Sequence, residues 1–171
     1  AYTCERQRAA FVEIFRGVGW DVIVFVIGIF IVALGLRSAG LTHQIGDLIR
    51  RLAGSDDRLL PVVTSLVAGI SSSIMNNHPT AGVMTWVIQD FERSASETQL
   101  LALSALIGGD LGPKMLPIGS LAALIWFRLL RERGVHVPYS LYIKIGIPVT
   151  LSASVLSTLV LQFEFWIAKL L

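Results

Sequence analysis

The amino-acid sequence predicts an all-α membrane fold that contains a re-entrant hairpin and one discontinuous helix. Three observations carry this. The 171-residue chain is 54% hydrophobic and only 15% charged, with a mean hydropathy of +0.70, whereas soluble domains carry about 25% charged residues. The charges are segregated: no Asp, Glu, Lys or Arg falls between Val22 and Leu36, between Leu59 and Gln89, or between Ile145 and Phe163. Two polar stretches, Asn76-Asn77-His78-Pro79 and Gly108-Gly109-Asp110-Leu111-Gly112-Pro113-Lys114, interrupt apolar runs where a spanning helix should be most apolar. Backbone that is not helical at membrane depth persists only where protein buries it or where it lines a watered cavity.

Residues 1–19 mix Glu5, Arg6, Arg8, Glu13 and Arg16 with apolar positions, which reads as a polar or interfacial segment and not as a cleavable signal. The chain starts at Ala1, so it is expected to be a portion of something longer. The first span is 20–36, with Trp20 at an interfacial belt position and Arg37 ending the run. Over 43–54, Ile45, Leu48, Ile49 and Leu52 follow helical spacing, with Asp47, Arg50 and Arg51 elsewhere on the wheel. An amphipathic helix lying at the interface is expected there; the alternative is the surface helix of a soluble part.

The uncharged run 59–89 is too long for one straight span and too short for two spans and a turn, which need about 40 residues. Pro79 donates no backbone hydrogen bond and biases His78 away from helix. A re-entrant hairpin with its tip at Asn76–Pro79 solves both problems; two short tilted spans are the alternative. Over 100–130 two half-helices flank the glycine-proline loop, with Gly108 and Gly109 expected to end the first in left-handed geometry and Pro113 to open the second. The final span is 145–163, with Trp166 beyond it and Pro148 in its first turn.

This order is that of one inverted repeat of a secondary transporter, in which solutes bind between broken helix ends near the midplane. The sides follow from it. Residues 1–19 and 128–144 share one side with seven Lys and Arg, and 37–58, 90–99 and the C-terminus share the other with six. The shorter, Arg-denser loops of the first side favour the cytoplasm for it, and the hairpin then enters from outside.

A net charge of +2 and the high apolar fraction exclude a nucleic-acid partner. One cysteine, Cys4, makes no internal disulfide and leaves the membrane portion without thiols. Gly-Gly-Asp-Leu-Gly-Pro-Lys lacks the spacing of a phosphate loop, His78 has no companions for a metal, and no cofactor is called for. Asp110 is the only carboxylate deep in an apolar region apart from Asp21 at an edge. Ionisable groups inside membranes are rare and default to function, and low dielectric favours a carboxyl's neutral form, so Asp110 is the candidate proton carrier. A structural ion pair with Lys114 is the competing role, and Lys114 can instead neutralise the negative end of the preceding half-helix. Asn76, Asn77 and Thr80 supply donors and acceptors at the first break, either to a solute or to the exposed backbone of the tip. Ser73 offers a further hydroxyl there, although serines in membrane helices often bond their own backbone. Gly108, Gly109 and Gly112 serve backbone geometry at the second break and count with Ser73, Asn76, Asn77, Thr80 and Asp110 as candidate substrate- or ion-binding positions, and Gly119-Ser120 serves close helix packing.

The motifs Ser72-Ser73-Ile74-Met75-Asn76-Asn77-X-Pro79-Thr80, Gly-X-Asp110-Leu111-Gly112-Pro113-Lys114 and Pro117-Ile118-Gly119-Ser120-Leu121-Ala122 closely resemble the arsenite efflux permeases, the ArsB family, in order from about Trp20 to Pro148. Two positions depart from the family pattern: His78, where a larger apolar residue is usual, and Gly109, where a cysteine can stand. The resemblance implies the C-terminal half of a multi-pass permease of the bacterial cytoplasmic (inner) membrane, with an N-terminal half as its partner. It implies export of arsenite and antimonite as neutral trihydroxides in exchange for protons, in some members with a cytoplasmic ATPase subunit. A sodium/proton antiporter or sodium-coupled anion carrier is the runner-up within the same architecture. A non-transporting membrane scaffold is the alternative of another class, although it has no need of two broken helices. No Ser-His-Asp, paired-Asp or zinc-type motif points to an enzyme.

Overall fold

The structure, a computed structural model, describes residues 20–169, so the polar segment expected over 1–19 lies outside the described residues. Among these, every regular element is helical: α1 (Trp20–Ser38), α2 (Leu41–Ala53), α3 (Leu60–Met75), α4 (Asn77–Gln89), α5 (Ala95–Leu111), two 3-10 turns (Gly112–Lys114 and Pro117–Gly119), α6 (Leu121–Glu132) and α7 (Tyr139–Ala168).

On the last helix, large apolar side chains face outward and small hydroxyls face inward. On α7 the buried residues are Thr150, Ser154 and Thr158, one per turn, while Val149, Leu156, Val160 and Phe163 are each about 60% exposed. Helices that pack in lipid gain nothing by hiding leucines from one another, and close approach through small residues takes over. By length and apolarity α7 suffices to cross a membrane. The described apolar part of α1, Ile27–Ser38, meets α2 at 72°, and Gly40 supplies the turn with φ 78°.

The apolar core joins the first five helices through Ala33, Ile49, Leu60, Ala68, Met84, Val87, Phe91 and Leu101, among others. On α2 the buried stripe is Thr42, Gly46, Ile49 and Ala53, not the Ile45–Leu48–Ile49–Leu52 face. Leu48 and Leu52 point outward, because Gly46 lets the helix backbone come down onto Phe91 and Val87.

α3 and α4, with 16 and 13 residues, reach about 24 and 20 Å at 1.5 Å per residue, short of the roughly 30 Å of a hydrocarbon core. The outer ends of this pair lie together. Arg93 Nη2 is 2.8 Å from Asp57 Oδ1, Arg50 donates to the Asp90 carbonyl at 3.1 Å, and Arg37 stacks over Trp86 at 3.9 Å.

Three boundaries differ from the sequence expectation. α5 starts at Ala95 through a capping box, in which Ser94 Oγ accepts from Glu97 N and Glu97 Oε2 accepts from Ser94 N. It also runs helically through Gly108 and Gly109 to Leu111, so the break is Gly112–Ser120 and no left-handed glycine ends the helix. Third, α7 begins at Tyr139, which puts Pro148 inside the helix.

Candidate functional site

α3 and α5 touch through main chain. A Cβ built on Gly108, Gly112 or Gly119 would overlap the backbone of Ser65, Gly69 or Ser73 respectively. These partners on α3 recur every four residues, so one face of that helix is a track for the glycines. Gly108 and Gly112 are therefore set by close approach and not by a special φ. Gly109 differs: a Cβ there meets nothing within 4 Å.

The end of α5 leaves carbonyls without helical donors. Pro113 lacks the N–H that Gly109 O would otherwise receive. Ser72, fully buried on α3, fills the gap, its Oγ donating to Gly109 O at 2.5 Å. The Lys114 ammonium donates to the Asp110 carbonyl oxygen. It sits on the backbone, not on the carboxylate, which is the helix-end role considered for it and not the ion pair.

At the first break Asn76 has φ 75° and ψ 165°, a conformation nearly restricted to glycine. Three hydrogen bonds hold it: Asn76 N to Ser72 O at 2.9 Å, Asn77 N to Asn76 Oδ1 at 2.7 Å, and Thr80 Oγ1 to Asn76 O at 2.9 Å. Asn76 and the buried Thr80 thus serve the backbone of the tip, and Ser73 Oγ is used on Ile70 O at 2.7 Å. Asn77 does something else: its Nδ2 reaches Asp110 Oδ1 across the fold at 3.4 Å.

Asn77 and Asp110 open onto a cleft of about 540 Å³ between α4 and α5, whose lining also includes His78, Thr85, Gln89, Thr98 and Gly109. Of the residues singled out from sequence, the structure brings Asn77, Gly109 and Asp110 to this cleft. Asn76, Thr80, Gly108, Gly112, Lys114 and Ser73 are not part of its lining: Gly108 and Gly112 face α3, and the polar groups of Asn76, Thr80, Ser73 and Lys114 bond to backbone. Sequence reasoning missed the weight of Ser72; the signal was the missing donor at Pro113, four residues after Gly109. It also missed Thr85, Gln89 and Thr98, which share the cleft only because α4 and α5 run antiparallel. Among the described residues no group of three or more His, Cys, Asp or Glu side chains is placed to hold a metal.

A family profile described as arsenical pump membrane protein matches residues 6–167. The chain is 34% identical over 155 residues to the arsenical pump membrane protein of Escherichia coli K12, covering 90% of this chain and 36% of that protein. It is 26% identical over 151 residues to the putative arsenical pump membrane protein of Bacillus subtilis 168, covering 88% and 34%. A 46 kDa membrane protein of Mycobacterium leprae is 24% identical over 151 residues, covering 86% and 35%. The chain thus spans about a third of the length of these relatives. No solved structure matches it. The match over nearly the whole chain, together with the polar breaks that the fold draws together, means that this chain belongs to the arsenical pump membrane protein family.

Proposed function

We propose that this chain forms part of the transport core of a carrier that exports arsenite or antimonite, as the neutral trihydroxide, from the bacterial cytoplasm in exchange for protons. Its fold in the bilayer is one inverted repeat, with α3 and α4 as a re-entrant hairpin and α5, the two 3-10 turns and α6 as a discontinuous span. The lengths of α3 and α4 and the Asp57–Arg93 contact at their outer ends support the hairpin. Trp20–Leu36 and α7 are the full spans, and α2 lies along the interface.

The observation that carries the reading is the Asn77–Asp110 contact between the two breaks. A neutral trihydroxide offers hydroxyl donors to a carboxylate and acceptors to an amide. A proton taken up by Asp110 competes for the same oxygens, so proton binding and cargo binding exclude one another. That exclusion is what exchange requires. Within this chain, the lack of thiols beyond Cys4 leaves cargo binding to hydrogen bonds, which suits the release of As(III).

In everted vesicles carrying the full-length protein, an imposed pH gradient should drive arsenite accumulation, and Asp110→Asn should abolish that drive while leaving downhill equilibration. Accumulation by Asp110→Asn under the same gradient would remove Asp110 from coupling. A response to a sodium gradient alone would favour the sodium-coupled reading.

A further inference from the structure

We infer that the groove between α4 and α5 is a watered access route, which leads from the end of the fold bearing Gln89 and Ser94 down to Asp110. Its hydrogen-bonding groups admit small neutral hydroxyl-bearing solutes and disfavour anions. The inference deepens the transport reading and rests on it for the nature of the cargo alone.

The two helices run antiparallel, so Asn77 meets Asp110 at one end, and Gln89 and Thr98 line the same cleft toward the other. Along α4 the lining recurs every four residues, at Asn77, Ala81, Thr85 and Gln89; along α5 it includes Thr98, Ala102 and Asp110. Met84, Ile88, Leu103 and Leu106 make most of the remaining lining apolar. At 1.5 Å per residue, the polar rung at Thr85 stands about 12 Å from Asn77 along α4 and that at Gln89 about 6 Å beyond it.

The rungs have a polarity. Thr85 Oγ1 donates to Ala81 O at 2.8 Å, and Thr98 Oγ1 donates to Arg93 O at 3.3 Å. With their protons used on their own backbone, both hydroxyls offer only lone pairs. At the end of the route the Asp110 carboxylate also accepts, and the Asn77 amide already donates to it. A solute bearing hydroxyl protons finds acceptors at Thr85, Thr98 and Asp110, whereas the donors open to an anion are confined to the side chains of Asn77, His78 and Gln89. Between Asp110 and the Gln89–Thr98 end the lining carries no Asp, Glu, Lys or Arg.

The test is thiol accessibility in the membrane-embedded full-length protein, with Cys4 and every cysteine outside this chain replaced by serine. Cysteines at Ala81, Thr85 and Ala102 should react with a membrane-impermeant cationic methanethiosulfonate from the face on which Ser96→Cys reacts. Val160→Cys, on the outer apolar face of α7, should not. If none of the three groove positions reacts while Ser96→Cys does, lipid or another helix fills the groove and the inference is overturned. Reaction only from the opposite face overturns it equally. Labelling needs no arsenite, so it stands or falls separately from the identity of the cargo. Thr85→Val should raise KM for the cargo more than it lowers kcat; an unchanged KM would remove the threonine as a rung.

Discussion

The side-chain amide of Asn77 lies 3.4 Å from the carboxylate of Asp110, although 33 residues separate them and each sits at its own break in the apolar sequence. Asn76, its neighbour, faces its own backbone instead. Adjacent asparagines therefore have separable roles.

Asn77→Ala should lower export about ten- to a hundredfold, because a hydrogen bond to a charged group contributes about 1.5–3 kcal/mol, while leaving the folded protein in the membrane. Efflux assays normalised to membrane protein content check this. Wild-type efflux in Asn77→Ala would make the contact incidental.

Asn76 should show a different order. Its backbone conformation costs about 1–3 kcal/mol for a residue with a Cβ, and its Oδ1 caps α4. Asn76→Gly loses the cap and relieves the backbone, whereas Asn76→Ala loses the cap and keeps the strain. Thermal stability in detergent should rank wild type and Gly above Ala; Ala matching Gly would mean that the tip relaxes.

Two neighbouring glycines should also part. Gly108→Ala drives a methyl into the Ser65 carbonyl and should cost about 3 kcal/mol or more, as severe overpacking does. Gly109→Ala adds a methyl to open space and should fold normally. The yield of monodisperse protein compares them directly, and equal yields would refute the track between α3 and α5.

Ser72→Ala leaves the Gly109 carbonyl buried without a donor, a loss of about 1–3 kcal/mol. Ser72→Thr keeps the hydroxyl and should recover much of it. Melting temperatures of the two variants decide the matter: Thr no better than Ala would mean that the hydroxyl does not cap the break.

At the start of α5, the hydrogen bonds from Ser94, first from its side chain and then from its backbone, hold the Glu97 carboxyl below the usual range. A depressed carboxylate adds stability that is present above its unfolded pKa and lost as pH falls through the folded one. The stability gap between wild type and Ser94→Ala should thus be full at neutral pH and shrink on acidification below the ordinary Glu range. A gap constant from pH 7 to pH 3 would contradict this linkage.

The helices and both breaks were legible because apolar runs and Gly-Pro interruptions are local signals. The position of the second break was not. Gly108 and Gly109 look like a helix end in one dimension, yet Gly108 is small because Ser65 lies against it, a fact belonging to another helix. The competition for Lys114 between the Asp110 carboxylate and its carbonyl also turned on three-dimensional geometry. On α2 the apolar positions Leu48 and Leu52 stay on the outside, while Gly46 brings the small-residue face onto Phe91 and Val87, a contact that the wheel alone does not show.

Where α3 and α5 meet, no side chain separates Gly108 from Ser65 or Gly112 from Gly69. A spacing fixed by main-chain radii works as a ruler: it cannot be adjusted by turning a rotamer, and it leaves no slack for gradual drift. Asn77 and Asp110 hang from opposite sides of that ruler, one past the end of α3 and the other on α5. Their separation is thus a manufactured tolerance of the backbone, and substitutions on the outward faces of these two helices can accumulate freely without detuning it.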